Sequence, residues 1–438
     1  MAHSLISGFS KLSKEQQISK IANFLNKKDN QVLGLLKQFW HIDHDIQKKF
    51  DGFTENTISN YYMPYNIAPN FIINGNYQFV PMVIEESSVV AAASHAAKFW
   101  ANHGGFHCHI LGTTKLGQIH FFYPGKPDEL LAHWEFIRQQ LLESVKHTEE
   151  NMRKRGGGVT NVELLSLNHK LPDYYQIQIK FETGDSMGAN FINSCLEEMA
   201  VALQESTEEK LTSGHIRVLM SILSNYTPEC AVECYVETDI NAFDELKTGY
   251  SALSFARRFE QAVKIAEIDP HRAATHNKGI FNGIDAVVIA TGNDFRATEA
   301  CGHTHAAASG QYRSLTSLEL ENSTFKYKLQ LPIALGTVGG LTKLHPLSEL
   351  SLEILDNPSA EYLMMVAASA GLANNFSAVR SLVTHGIQKG HMKMHLNNIL
   401  SGLSVTDDEK MNIISYFSDK TISFRSVELY LKKIRANK

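Results

Sequence analysis

Apolar positions recur at helical spacing between residues 14 and 50: Ile18, Ile21, Phe24 and Leu25, then Val32, Leu35, Leu36 and Phe39. That pattern predicts short helices. From Ser88 to Ala101 the same period carries mostly small residues, predicting a helix that can lie close to a neighbour or a ligand. The period then changes. Q-I-H-F-F-Y (118–123) reads as a strand, 128–145 as an amphipathic helix and N-V-E-L-L-S-L (161–167) as another strand. Tyr175, Ile177, Ile179 and Phe181 alternate with Gln176, Gln178, Lys180 and Glu182, as a half-buried strand requires. A helix from about Gly188 to Leu203 and a strand at 215–221 complete the order βαββαβ, the split-βαβ or ferredoxin-like arrangement.

Further along, Val232, Cys234 and Val236 mark a strand, and 251–266 a helix with Pro270 just beyond it. I-D-A-V-V-I-A (284–290) reads as a buried strand, followed by a helix from about Phe295. S-L-E-I-L (351–355) and the Ala-rich run 361–384 continue the same domain, and a polar pair of helices follows Thr406. The expected fold is α+β and multidomain. A large mixed helix/sheet domain (1–112 and 225–387) would carry an inserted ferredoxin-like domain (113–224) and a helical C-terminal flap (388–438).

Composition narrows the function. The 438 residues suffice for several domains, and a hydrophobic share of 43% supports a buried core rather than disorder. The net charge of −5 is spread along the chain without the basic stripe of a nucleic-acid surface. No run approaches the roughly 18 apolar residues of a membrane helix, and the start lacks a secretory pattern. The five cysteines (108, 195, 230, 234 and 301) are scattered and odd in number, which suits a reducing cytoplasm. Cys230 and Cys234 share one strand face and read as core. The H-x-H pairs His107/His109 and His303/His305 lack the further ligands of a zinc site.

Several segments carry chemistry. D-S-M-G-A-N (185–190) lies where a strand meets a helix, so its amides can hold a diphosphate without a G-x-G-x-x-G motif, which is absent; Asp185 alone is equally a helix cap. R-A-A-T-H-N-K-G (272–279) offers Lys278, either an oxyanion-stabilising ammonium or a surface lysine, and Arg272, a fork for carboxylate or phosphate. Asp294, in T-G-N-D-F-R, either orients Lys278 or caps a helix. Glu86 precedes an apolar helix where desolvation would make its carboxyl a usable proton donor. His391, between flexible Gly386 and Gly390 and the polar tail, is a candidate mobile acid or simply an exposed helix histidine.

Taken together, E-E-S-S-V-V-A-A-A-S (85–94), D-S-M-G-A-N, R-A-A-T-H-N-K-G with A-T-G-N-D, and G-H-M-K-M-H (390–395) resemble the class II, bacterial-type 3-hydroxy-3-methylglutaryl-coenzyme A reductases. F-S-K-L-S (9–13), E-N-T-I-S-N (55–60) and N-H-G-G-F (102–106) extend the resemblance over nearly the whole chain. It implies interconversion of hydroxymethylglutaryl-CoA with mevalonate and CoA by two hydride transfers, in a homodimer with active sites at the subunit interface. It also implies roles: Lys278 for the oxyanion, Glu86 as proton donor, Asp294 as their electrostatic partner and His391 as acid to the CoA thiolate. Ser88, Arg272 and Asn282 would hold substrate, and Asp185, Met187, Gly188, Asn190 and Asn225 the nicotinamide cofactor. Glu149, near the end of the 128–150 helix, is expected to accept from a ribose 2′-hydroxyl and so favour NADH over NADPH, while Arg153, Lys154 and Arg155 lie close enough in sequence to do the opposite. Ser87, Ser59 and Asn374 stand where relatives carry proline, glycine and glutamine. The competing readings are another acyl-CoA oxidoreductase on this scaffold and a non-catalytic CoA or nucleotide sensor.

Overall fold

The computed structural model describes residues 5–384, 386, 396, 399–417, 420 and 422–436. Two compact units divide the chain, residues 1–64 and 65–438. In the first, α1 (Lys14–Phe24), α2 (Asp29–Lys37) and α3 (His44–Asp51) follow the predicted helical spacing. Ser13 and Gln16 close a reciprocal capping box on α1, and Asp43 caps α3 through the amides of Asp45 and Ile46. Ser59 donates to the Leu36 carbonyl at 2.8 Å, so the serine at this position ties a loop to α2.

The second unit opens with the hairpin β1 (Tyr65–Ile73) and β2 (Asn76–Val83), then α4 (Val89–Ala101), β3 (His107–Thr113) and β4 (Lys115–Phe122). Three short helices follow, α5 (Pro127–Ala132), α6 (Trp134–Ser144) and α7 (Lys146–Arg153), where one continuous helix is expected. Then come β5 (Gly158–Ser166), β6 (Tyr174–Glu182), α8 (Ala189–Thr207) and β7 (Arg217–Leu223). These four strands form one antiparallel sheet in the order β5-β6-β4-β7, the spatial order of a split-βαβ sheet. Tyr175, Ile177, Ile179 and Phe181 are all buried in it, as their alternation predicts, and they pack with Leu196 and Met199 of α8.

The chain continues through β8 (Cys230–Asp239), α9 (Ala252–Ile268), α10 (Pro270–Ala290), α11 (Phe295–Ala306), β9 (Thr316–Glu321), β10 (Thr324–Pro332), α12 (Pro346–Ile354) and α13 (Ala360–Val383). A second antiparallel sheet has the order β3-β8-β10-β9. Beside it lies a core rich in aromatic rings, among them Trp100, Phe243, Phe259, Phe325 and Phe376. Cys230 and Cys234 are buried there, and all five cysteines are free. The last helices, Asp407–Tyr416 and Phe424–Ala436, pack on each other through Ile413, Phe417, Val427 and Leu431. Among the described residues no helix is long and apolar enough to cross a membrane.

A larger departure from expectation follows Pro270. Residues 284–290 are not a strand; together with 272–279 they belong to the single 21-residue helix α10. Pro270 starts this helix rather than ending its predecessor alone, with Asp269 accepting from the His271 amide as its cap. The helix is buried on most of its surface, so a run such as I-D-A-V-V-I-A shows no helical period. Glycine permits that burial. A Cβ on Gly283 would stand 2.3 Å from the Ala370 carbonyl oxygen of α13, and one on Gly371 would stand 2.8 Å from Ile284. Small residues on each helix thus let the two backbones approach closely.

Candidate active site

The buried polar residues of α10 fix the helix that carries the cation. His276 and Asn277, at 1% and 0% exposure, immediately precede exposed Lys278. The His276 ring bonds Thr316 Oγ1 at 2.6 Å, and Asn375 donates to the His276 carbonyl at 2.7 Å. Asn277 donates to the Arg313 carbonyl (2.8 Å) and accepts from the Leu315 amide (3.0 Å). Burial, with the Arg272 charge adding to it, pushes the His276 ring down to about 3, so it is neutral. These two residues act as bolts, and Lys278 follows them on the open face of the helix.

Lys278 meets Glu86. Its Nζ lies 2.6 Å from Glu86 Oε2, although 192 residues separate them in sequence. Glu86 stands in the turn between β2 and α4, and Ser88, two residues on, caps α4 at a φ of 80°. A left-handed serine is uncommon and fixes the turn's direction. Asn282 lies one turn beyond Lys278 on the same side of α10, half-buried. Glu86, Lys278 and Asn282 are therefore brought to one place: an ammonium touching a carboxyl, with an amide alongside.

Two other residues are not brought there. Asp294 accepts from the Arg296 and Ala297 amides as cap of α11, and its carboxylate pairs with the Arg296 guanidinium at 3.0 Å. Burial pushes this carboxyl up, but the Arg296 hydrogen bond and the Ala297 amide outweigh it and hold the group below its ordinary value. The expected contact with Lys278 is absent among the described residues, and the helix-cap reading of Asp294 is the one the geometry gives. Arg272 lies six residues before Lys278, hence on a different side of α10. It is half-buried and its Nη1 is enclosed without a hydrogen-bond partner. An enclosed guanidinium nitrogen without an acceptor is what a carboxylate ligand would satisfy.

The D-S-M-G-A-N segment forms a second locus. Gly188 is the N-cap of α8 with φ 89°, and a Cβ there would stand 2.5 Å from the Thr183 side chain. No side chain caps α8 and no acidic residue sits in its first turn, so its leading amides are open to an anion. Asp185 does not cap this helix; its Oδ1 accepts from the Ala360 amide at 2.7 Å, clamping the turn against the start of α13. A narrow cleft runs beside the turn and is lined by Met187, Ala189, Asn225 and Thr227. Asn190 is exposed at the helix start. Lys115 also lines the cleft. The sequence reading missed it by starting the strand at Gln118, although Lys115 shares strand parity with buried Ile119 and Phe121.

Glu149 requires correction. It is 3% exposed, with Oε1 bonded to Arg153 Nε at 2.7 Å and Oε2 to the Val159 amide at 2.9 Å. Both oxygens are committed to joining α7 to β5, so this carboxylate does not face a ribose, and the expectation of NADH loses its basis. The i, i+4 relation to Arg153 and the glycines before Val159 were the available signs of a structural clamp. His391, Gly390 and the G-H-M-K-M-H segment lie outside the described residues.

The chain was compared with known proteins. The family model for hydroxymethylglutaryl-coenzyme A reductase matches residues 17–396. A 3-hydroxy-3-methylglutaryl-coenzyme A reductase of Archaeoglobus fulgidus is 36% identical over 94% of this chain and 90% of its own length. A probable reductase of the same name from Borreliella burgdorferi is 32% identical over 97% of each. Among solved structures, the class II reductase of Streptococcus pneumoniae bound to NADPH in open conformations superposes with a TM-score of 0.70 at 34% identity, covering 86% of this chain and 100% of that one.

Proposed function

The chain belongs to the hydroxymethylglutaryl-coenzyme A reductase family, and from that premise we propose how its residues divide the work. It is a nicotinamide-dependent oxidoreductase that reduces hydroxymethylglutaryl-CoA to mevalonate. Converting a thioester to a primary alcohol takes two hydrides and two protons and releases one CoA thiol. When bound, the nicotinamide supplies each hydride; the protein's residues manage charge and protons.

Lys278 stabilises negative charge on the substrate oxygen in both reductions, which a preorganised ammonium does far better than water. Glu86, in contact with that ammonium, delivers the proton to the aldehyde oxygen in the second reduction. The single observation that carries this reading is the 2.6 Å contact between Lys278 and Glu86. Asn282 orients the same substrate oxygen. Ser88 and Arg272 hold the substrate's carboxylate end, a role supported by the partnerless Arg272 Nη1. His391 protonates the departing thiolate from a C-terminal flap (388–438). Asp294 contributes through Arg296 and the start of α11 rather than by touching Lys278.

The turn at Asp185, Met187, Gly188 and Asn190, with Asn225, receives the cofactor. An uncapped helix start and a glycine that no Cβ could replace fit a dinucleotide's diphosphate. The sheet unit 113–224 is then the cofactor domain. We infer a homodimer with the active site at the subunit interface, and a cytoplasmic location consistent with five free, buried cysteines. A non-catalytic sensor is disfavoured because it needs no ammonium–carboxyl contact. Absorbance of the reduced nicotinamide, followed with hydroxymethylglutaryl-CoA present and absent, tests the proposal. Two nicotinamides should be oxidised per CoA released; none oxidised would leave the sensor reading.

A further inference from the structure

Helix α11 turns back against α10, and a glycine lets it approach. Phe281 of α10 packs on the His303 ring at 4.7 Å between centroids, and a Cβ on Gly302 would stand 2.4 Å from the Phe281 ring. One turn further along α10 and one turn back along α11, the same register sets Asp285 against Glu299. The two carboxyl groups hydrogen-bond to each other. Such a bond needs a proton, because ionised carboxylates only accept. No cation relieves the pair. On α11, Arg296 is bound to Asp294, and His303 holds the Tyr312 hydroxyl at 2.7 Å. Among the described residues of α4, α9, α12, α13 and β2, which also pack on α10, no charge bears on Asp285. Its Oδ1 is enclosed and has no hydrogen-bond partner. Burial first, then the neighbouring Glu299, pushes this carboxyl up to about 8. Asp285 also stands seven residues after Lys278 and three after Asn282, on the same stripe of α10.

We propose that Asp285 and Glu299 share one proton, and that this proton latches α11 to α10 and so positions Asn282 and Lys278 on their helix. Both acids are positioning residues, acting through the helix rather than on the substrate. The inference rests on placing Lys278 and Asn282 at the reacting oxygen. Loss of the proton leaves two carboxylates face to face in an enclosed place, and their repulsion parts the helices. The latch therefore holds at neutral pH and fails above about 8. In Asp285→Asn an amide N–H donates to the Glu299 carboxylate at every pH, so the latch no longer depends on a proton. The folded parent keeps a proton that the unfolded chain releases above its ordinary 3.8. This group's contribution to stability is thus complete below 3.8 and is lost as the pH rises toward 8.

Single-turnover hydride transfer to hydroxymethylglutaryl-CoA and to free mevaldehyde, measured from about pH 6 to about pH 9 in the parent, Asp285→Asn and Glu299→Gln, tests the latch. The parent rate should fall about tenfold between about pH 7 and about pH 9 on both substrates, whereas both variants should stay within about threefold of their neutral-pH rate. A parent rate that does not fall would overturn the proposal. So would variants that are slower at every pH and keep the parental fall, which is what a merely structural pair would give. The melting-temperature advantage of Asp285→Asn over the parent should widen from about pH 5 to about pH 8, and a constant difference would contradict the shared proton. Infrared spectra of the unaltered protein give a reading independent of any variant's folding. A protonated-carboxyl band should disappear as the pH passes about 8, and absence of any such band overturns the proposal. Parental turnover in Lys278→Ala, with these pH effects intact, would instead overturn the reading of Lys278 and leave the shared proton in place.

Discussion

Replacing Glu149 with alanine separates a structural carboxylate from a cofactor contact. The side chain is 3% exposed and makes two bonds, to Arg153 Nε at 2.7 Å and to the Val159 amide at 2.9 Å. Arg153 is half exposed, so water replaces its lost partner and that bond contributes little. Val159 is buried and its amide finds no substitute acceptor, which costs about 1–3 kcal/mol, and the vacated space beneath Gly158 adds to it. The expected loss is roughly 2–4 kcal/mol of unfolding free energy for the cofactor domain. Urea denaturation followed by circular dichroism measures it. Specificity constants for NADH and NADPH, determined below the melting temperature, should fall together and keep their ratio. Stability within about 0.5 kcal/mol of the parent, combined with a ratio that moves several-fold toward NADPH, would refute the clamp and restore Glu149 to the cofactor.

Gly283→Ala should destabilise the protein by about 1–3 kcal/mol or more and lower turnover with it, because the new Cβ meets the Ala370 carbonyl oxygen at 2.3 Å on the helix that carries Lys278; parental stability in denaturant would contradict the packing described. His276 is held at about 3, below its ordinary 6.5, so the unfolded chain takes up a proton that the folded ring refuses. Its contribution is complete above pH 6.5 and is lost as the pH falls from 6.5 toward 3, about 2 kcal/mol of it by about pH 5. Comparing unfolding of the parent and His276→Asn at about pH 7 and pH 5 checks this, since the parent should lose more. His391→Gln should abolish reduction of the thioester yet still reduce free mevaldehyde, which has no thiolate to protonate; equal loss on both substrates would end that assignment.

Much of this architecture is legible in the sequence because alternation and helical period survive wherever one face is wet. Tyr175 to Phe181 in β6 and Ala256, Phe259 and Val263 in α9 are such cases, although Leu253, expected on the same buried face, is exposed. Legibility fails where burial surrounds an element. Helix α10 hides its period because Ile284, Ala286, Val287 and Val288 are all enclosed, and small residues, not amphipathicity, settle its packing. For the site, Glu86 and Lys278 are recognisable as a set only through family resemblance, since no local spacing joins residues 192 positions apart. Glu149 and Asp294 mislead for a common reason: a carboxylate near a ligand motif looks available until its hydrogen bonds are counted. Lys115 escapes notice because a single charge at an inward strand position reads as a strand boundary.

The most direct test of the central claim is single-turnover oxidation of reduced nicotinamide by Lys278→Ala in the presence of hydroxymethylglutaryl-CoA. The ammonium that contacts Glu86 at 2.6 Å is removed, while the bolts at His276 and Asn277 stay in place. Removing a preorganised charge from a developing oxyanion should slow hydride transfer by about 10²–10³-fold or more, with CoA and cofactor affinity retained. A rate within about twofold of the parent would contradict the assignment of Lys278 and, with it, this account of the active site.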